Sequence, residues 1–146
     1  MEPRLSYVIG RLDRQLRRRL SAALEPSGVT LPAYTALSVL RVHDGLSNAR
    51  LARRSLVTPQ SMSEVLAQLV AQGHVRRAAE PGHRRVVRIE LTAGGREVLA
   101  RCDRAVDAVE HELLAELGAG EAAGLRETLI RCSRVLAREH TGSAGV

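Results

Sequence analysis

The sequence predicts a mostly α-helical chain carrying one small β-hairpin, and three observations predict it. Apolar residues recur at three- and four-residue steps through most of the length, the spacing that lines one face of a helix. That periodicity breaks once, between Val75 and Leu91, into two short runs rich in β-branched residues. The aromatic inventory is Tyr7 and Tyr34 alone, so the core must be built from Leu, Val, Ala and Ile, which suits helix-on-helix packing.

The elements follow in order. Residues 4–24 read as an amphipathic helix, with Leu5, Val8, Ile9, Leu12, Leu16, Leu20 and Leu24 on one stripe and Arg11, Arg14 and Arg18 opposite; Glu25-Pro26-Ser27-Gly28 ends it. Thr30 is the N-cap of a second helix over 31–43, with Pro32 in the first turn, where a missing N–H costs little. After the Asp44-Gly45 turn, Ser47 caps a short third helix over 48–55. Thr58-Pro59 opens a fourth, which runs to about Gln72 and stops at Gly73, with Met62, Val65, Leu66, Leu69 and Val70 inward.

Val75 to Ala79 and Val86 to Leu91 are expected to pair as a hairpin, with 80–85 as its basic tip. Thr92 caps a long fifth helix over 93–117, whose first turn the Gly94-Gly95 pair weakens. Gly118-Ala119-Gly120 is a hinge, a last helix covers about 121–138, and the tail over 141–146 is expected to be disordered.

A chain of 146 residues holds one compact domain, or one with dimerisation arms, and needs no metal or disulfide staple. All 22 basic residues are Arg, and their distribution is uneven. Residues 1–91 carry 15 Arg against 7 acids, a charge of +8; residues 92–146 carry 7 against 9, a charge of −2. Such a split is the footprint of a polyanion-binding face joined to a neutral module.

Cys102 and Cys132 are single, far apart and on apolar stripes, which reads as packing rather than as a zinc site or a redox pair. The N-terminus is too charged for a signal peptide and no apolar run approaches a membrane span, so a cytoplasmic location is expected. No nucleophile–base pair or glycine-rich phosphate loop argues for an enzyme, and no cofactor is implied. The acidic run Asp103, Asp107, Glu110, His111 and Glu112 is read as an exposed helix face, not as metal ligands.

Two short helices, a tight connection and a basic hairpin together form a unit suited to duplex DNA. The fourth helix fits a major groove while the hairpin reaches the adjacent minor groove. The candidate DNA contacts are Ser47, Asn48, Thr58, Gln60, Ser61, Ser63, Glu64 and Gln68 on the helix pair, and His83, Arg84 and Arg85 on the hairpin. Short hydroxyls and amides suit base edges and phosphates, and arginines suit a narrow, electronegative minor groove.

The stretch from Ser47 to Thr92 resembles the winged-helix core of the MarR family of bacterial regulators. The matching residues are Leu51-Ala52, Val57-Thr58-Pro59-Gln60-Ser61-Met62, Leu69 through Arg77, Pro81 through Arg85, and Leu91-Thr92-Ala93-Gly94-Gly95. The resemblance implies a winged helix-turn-helix over 31–92, an N-terminal dimerisation helix within 1–30 and C-terminal dimerisation helices within 93–140. It implies a homodimer joined through Leu5, Val8, Leu12, Leu125, Leu129 and Val135, and a pseudo-palindromic operator with half-sites roughly 34 Å apart. It also implies release of the DNA by a small anionic aromatic effector, for which Tyr7, Arg11 and Tyr34 are the candidate contacts.

Two residues depart from the family pattern. Glu64 stands where the family commonly has Arg or Lys, and His83 where the wing usually has Asp. Glu64 is the one feature that favours a rival reading, a winged-helix protein-interaction module with weak or lost DNA binding.

Overall fold

The computed structural model describes residues 1–139; the tail over 141–146 expected to be disordered lies outside the described residues, as do the side chains of Arg84 and Glu139. The elements are α1 (Leu5–Leu24), α2 (Leu31–Val42), α3 (Asn48–Arg54), α4 (Pro59–Ala71), β1 (Val75–Glu80), β2 (His83–Leu91), α5 (Ala93–Leu113) and α6 (Ala119–Glu139).

Local chemistry sets most boundaries. Thr30, Ser47 and Thr58 each take extended backbone and accept a bond from the N–H three residues on, at Ala33, Arg50 and Ser61. Thr92 does the same for α5, accepting from Gly95 N–H at 2.9 Å. The end of α4 is a Schellman motif. Gly73, at φ +76°, donates to Val70 O, and His74 donates to Leu69 O. The end of α3 repeats that pattern without a glycine: Leu56 sits at φ +58°, donating to Arg53 O, while Val57 donates to Ala52 O.

The chain divides into two compact units, one over Met1–Val109 and one from Glu110 onward. In the first, the buried stripes of α2, α3, α4 and the early turns of α5 converge on one core. Leu37, Leu40, Leu51, Met62, Leu66, Leu69 and Leu99 are essentially inaccessible, and Ile89 and Leu91 close the core from the hairpin side. Each such side chain contributes about 1.5–3 kcal/mol by burial. Leu46 forms an isolated antiparallel bridge with Ile89, tying the loop before α3 to the sheet. Cys102 lies in this core, and its burial pushes the thiol pKa up, against a hydrogen bond from Ser27.

In the second unit α6 is an amphipathic helix whose apolar stripe is uncovered. Its start differs from the expectation: Ala119 and Gly120 are inside the first turn rather than in a hinge. Glu121 reaches back to the Gly118 N–H at 3.3 Å, half of a capping box, and so starts the helix two residues early. α5 is shorter than expected, ending at Leu113 with turns over 114–117. Cys132 is exposed rather than packed.

The hairpin tip also differs. The strands extend until Glu80 faces His83, leaving a two-residue Pro81-Gly82 turn in place of the six-residue basic loop. Pro81 with its fixed φ and Gly82 at φ +84° supply the φ pair of a type II turn. That turn splays twisted strands. The mismatch is absorbed next to it, where Ala79 faces Val87 but Glu80 faces His83, so Arg84, Arg85 and Val86 have no counterpart on β1. His83, Arg84 and Arg85 are therefore strand residues beside the turn, in an irregular stretch, rather than part of a tip loop over 80–85.

Candidate nucleic-acid interface

α3 and α4 pack on each other, with Leu51 and Ala52 of one and Met62 and Leu66 of the other buried in the same core, and α4 leads directly into β1. Around α4 the buried residues Met62, Leu66 and Leu69 define one side. At 100° per residue the opposite side is centred on Gln60, Glu64, Ala67 and Ala71, all exposed. Ser61 and Gln68 lie at one edge of that face and Ser63 at the other. Two small residues on the central ridge let the helix backbone approach a flat or concave partner closely.

The hydroxyls predicted as contacts are mostly engaged within the protein. Thr58 caps α4, accepting from Ser61 N–H at 3.1 Å, and its hydroxyl donates to Ser61 Oγ at 2.9 Å. Ser63 Oγ donates to Pro59 O at 2.9 Å and accepts from Asn48 Nδ2 at 2.7 Å. Asn48 is half-buried, so this pair is a lock between the first turns of α3 and α4, and Ser47 is the cap behind it. The side chains of Gln60, Glu64 and Gln68 make no hydrogen bond or ion pair among the described residues and are exposed. Glu64 and Gln68 border an open groove of about 380 Å³ with Pro32, Val57, Ser61 and Val65.

The cationic side chains lie on the flanking elements rather than on α4. Glu64 is the only ionisable residue of α4. α3 carries exposed Arg50, Arg53 and Arg54, the last sharing a 3.2 Å contact with His43. On the hairpin, Arg76 pairs with Glu90 across the strands and Arg88 with Glu80. Arg77 and Arg85 are exposed with no ion pair among the described residues, and His83 is exposed beside the turn. Arg50, Arg53 and Arg77 were not singled out as contacts from the sequence, although the basic excess of the first 91 residues contained them.

The candidate effector contacts do not come together as a hydrogen-bonded set. Tyr7 and Arg11 are exposed on α1, while the Tyr34 hydroxyl on α2 donates to Asp103 Oδ1 of α5 at 2.8 Å. Burial, and then that bond to a carboxylate, push the Tyr34 pKa up to about 12. Arg41 pairs with the other oxygen of Asp103. Asp103, read from the sequence as part of an exposed face, is thus a half-buried anchor between α2 and α5. Nearby, Asp44 Oδ1 accepts from Leu91 N–H at 2.9 Å and Arg96 donates to Leu91 O at 3.2 Å. These groups border a cavity of about 240 Å³ with Leu40 and Leu99.

The junction between α4 and α5 is also polar. Thr92 Oγ1 donates to Gly73 O at 2.6 Å, and Thr92 N–H donates to His74 O at 3.1 Å. A Cβ on Gly95 would stand 2.0 Å from that same His74 oxygen, so only glycine permits this approach. The His74 Nδ1 is buried with no hydrogen-bond partner among the described residues, and burial followed by the Arg101 charge lowers its pKa.

A two-helix unit with a solvent-facing second helix, followed by an antiparallel hairpin, defines a winged helix-turn-helix: α3 and α4 are the helix pair and β1–β2 the wing. A profile of the MarR family matches residues 27–86. The HTH-type transcriptional repressor Rv2887 of Mycobacterium tuberculosis is 42% identical over 115 residues, 79% of this chain and 83% of that protein. A crystal structure of that protein in complex with DNA superposes with a TM-score of 0.76 at 36% identity, covering 90% of this chain and 98% of the other. One in complex with salicylic acid gives 0.75 at 37%, covering 90% and 97%. Wild-type apo MarR of Escherichia coli gives 0.78 at 26%, covering 90% and 98%. The chain belongs to the MarR family.

Proposed function

We propose that the chain is a homodimeric transcriptional repressor that binds a pseudo-palindromic duplex operator through α4 and the β1–β2 wing. The observation that carries the reading is the exposed face of α4, which is centred on Gln60, Glu64, Ala67 and Ala71 opposite the buried side of the helix, in a chain whose α3 and wing carry exposed arginines. Arginine side chains on either side hold phosphates while the helix between them meets base edges. Gln60, Glu64 and Gln68 are the base-facing candidates; Arg85 and its neighbours His83 and Arg84 serve the wing. Ser47, Asn48, Thr58, Ser61 and Ser63 act mainly by fixing how α4 sits on α3.

Dimerisation is supported by uncovered apolar stripes in each unit. Leu5, Val8 and Leu12 of α1 are 72%, 43% and 39% exposed, and Leu125, Leu129 and Val135 of α6 are 38%, 48% and 56% exposed. Stripes of that kind on long helices are buried in an assembly rather than left in water. Release by a small anionic aromatic compound is supported by the salicylic acid complex of the related repressor. No helix among the described residues is long and apolar enough to cross a membrane.

The test is a salt titration of binding to a duplex from the upstream region of the chain's own reading frame. Phosphate contacts give a log–log slope of about −0.9 per neutralised phosphate. Arg85→Ala is expected to weaken binding at moderate salt and flatten that slope by about one contact, with the thermal transition unchanged. A flat salt dependence for the parent protein would leave only the protein-interaction reading.

A further inference from the structure

We infer that Glu64 is the specificity-determining residue of the reading helix and selects a cytosine in each operator half-site. The inference deepens the proposed function and rests on it. Its ground is the position of the side chain. Glu64 lies within one turn of Gln60 and Ala67 at the middle of the face opposite the buried residues of α4, and it is exposed. No cation neutralises it among the described residues, and no other ionisable group stands on α4.

A carboxylate so placed is an acceptor without a donor. In a major groove the atoms it meets decide its effect. Against guanine O6 and N7, or thymine O4, it sets negative charge against acceptors; against cytosine it accepts from the N4 amino group. Adenine also offers an amino group, at N6, but with the N7 acceptor beside it, the pattern that a glutamine amide matches on both atoms and a carboxylate does not. The small neighbours Ala67 and Ala71 let the helix lie close enough for a side chain of this length to reach a base edge. The phosphates are left to the arginines of α3 and of the wing, so the carboxylate is not required to meet them. A negative charge at this place also disfavours duplexes that lack the matching amino group, so it discriminates both by attraction and by repulsion.

The experiment is selection of bound duplexes from a random-sequence library by the full-length chain, run in parallel for the parent protein, Glu64→Gln and Glu64→Ala. The parent is expected to enrich a two-fold-related site with one C·G pair, cytosine on a fixed strand, in each half. Replacing that pair by T·A in the enriched duplex is expected to weaken parent binding roughly ten- to hundredfold. Glu64→Gln is expected to change the base at that position from cytosine to adenine and leave the other positions as they were. Glu64→Ala is expected to lose preference there alone. Both variants replace an exposed helix residue by a good helix former, so folding is retained, and thermal melting of each verifies it.

Identical sites enriched by the parent and by both variants would overturn the inference and leave the regulator reading standing. So would a uniform change of affinity with no change of base. Failure of the parent to enrich any duplex would instead remove the regulator reading itself.

Discussion

Replacing Gly95 by alanine perturbs one methyl group, and the consequence can be worked from the geometry. The added Cβ would stand 2.0 Å from His74 O, 2.8 Å from Leu91 Cδ1 and 3.0 Å from the His74 carbonyl carbon. The leucine methyl can rotate away. The carbonyl cannot, because it belongs to the peptide that leaves α4 and enters β1 and it already accepts from Thr92 N–H. Relief requires the oxygen to retreat by about 1 Å, which stretches that bond and the Thr92 Oγ1 bond to Gly73 O. Overpacking costs about 1–3 kcal/mol, and two weakened hydrogen bonds cost about 1 kcal/mol each. Helix propensity returns up to about 1 kcal/mol.

The net expectation is a loss of about 3 kcal/mol, or roughly 10 °C in Tm for a chain of this size. Gly94→Ala is the control: its Cβ would sit 3.4 Å from Gly73 O, an ordinary contact, so the same chemical change one residue earlier is expected to be neutral or stabilising by up to about 1 kcal/mol. Urea unfolding followed by circular dichroism measures both, at one protomer concentration because association adds to apparent stability. Equal midpoints for Gly95→Ala and the parent would refute the argument that this approach admits only glycine.

Two further outcomes are expected. Leu56→Gly removes a left-handed leucine that is 92% exposed, trading about 1–2 kcal/mol of strain against about 1 kcal/mol of added chain entropy; its urea midpoint should equal or exceed that of the parent, and a clear fall would contradict the strain. His74 has a folded pKa below its ordinary 6.5, so the unfolded chain binds the proton more readily; the stability this group contributes is complete above about pH 6.5 and declines as pH falls toward the folded value. Thermal melts from about pH 7.5 to 5 should therefore show a smaller decline for His74→Gln than for the parent, and parallel curves would contradict the linkage.

What could be read from the sequence was what depends on neighbours a few residues apart. The caps at Thr30, Ser47, Thr58 and Thr92 all make the expected bonds, because a cap needs only its own hydroxyl and an N–H three residues on. The stop at Gly73 was legible for the same reason. The role of Asp103 was not, since its partners Tyr34 and Arg41 lie 69 and 62 residues away and only folding brings them together. Gly94 and Gly95 looked alike as weak helix formers; one carbonyl from another element separates them. Asn48 and Ser63 are candidate DNA contacts from the sequence, and their bond to each other is not legible there because it exists only once two helices cross. The hairpin tip was drawn too wide because Glu80 and His83 carry no β-branched signal, yet face each other across a Pro-Gly turn.

The clasp at Thr92 has a mechanical meaning. One residue grips the two carbonyls just past α4, those of Gly73 and His74, with its hydroxyl and its amide and at the same time starts the long helix that follows. Two short polar bonds thus fasten the exit of one helix to the entrance of the other, like a hook and eye sewn where two seams meet. Removing the hydroxyl while keeping the amide would leave that fastening with one of its two strands.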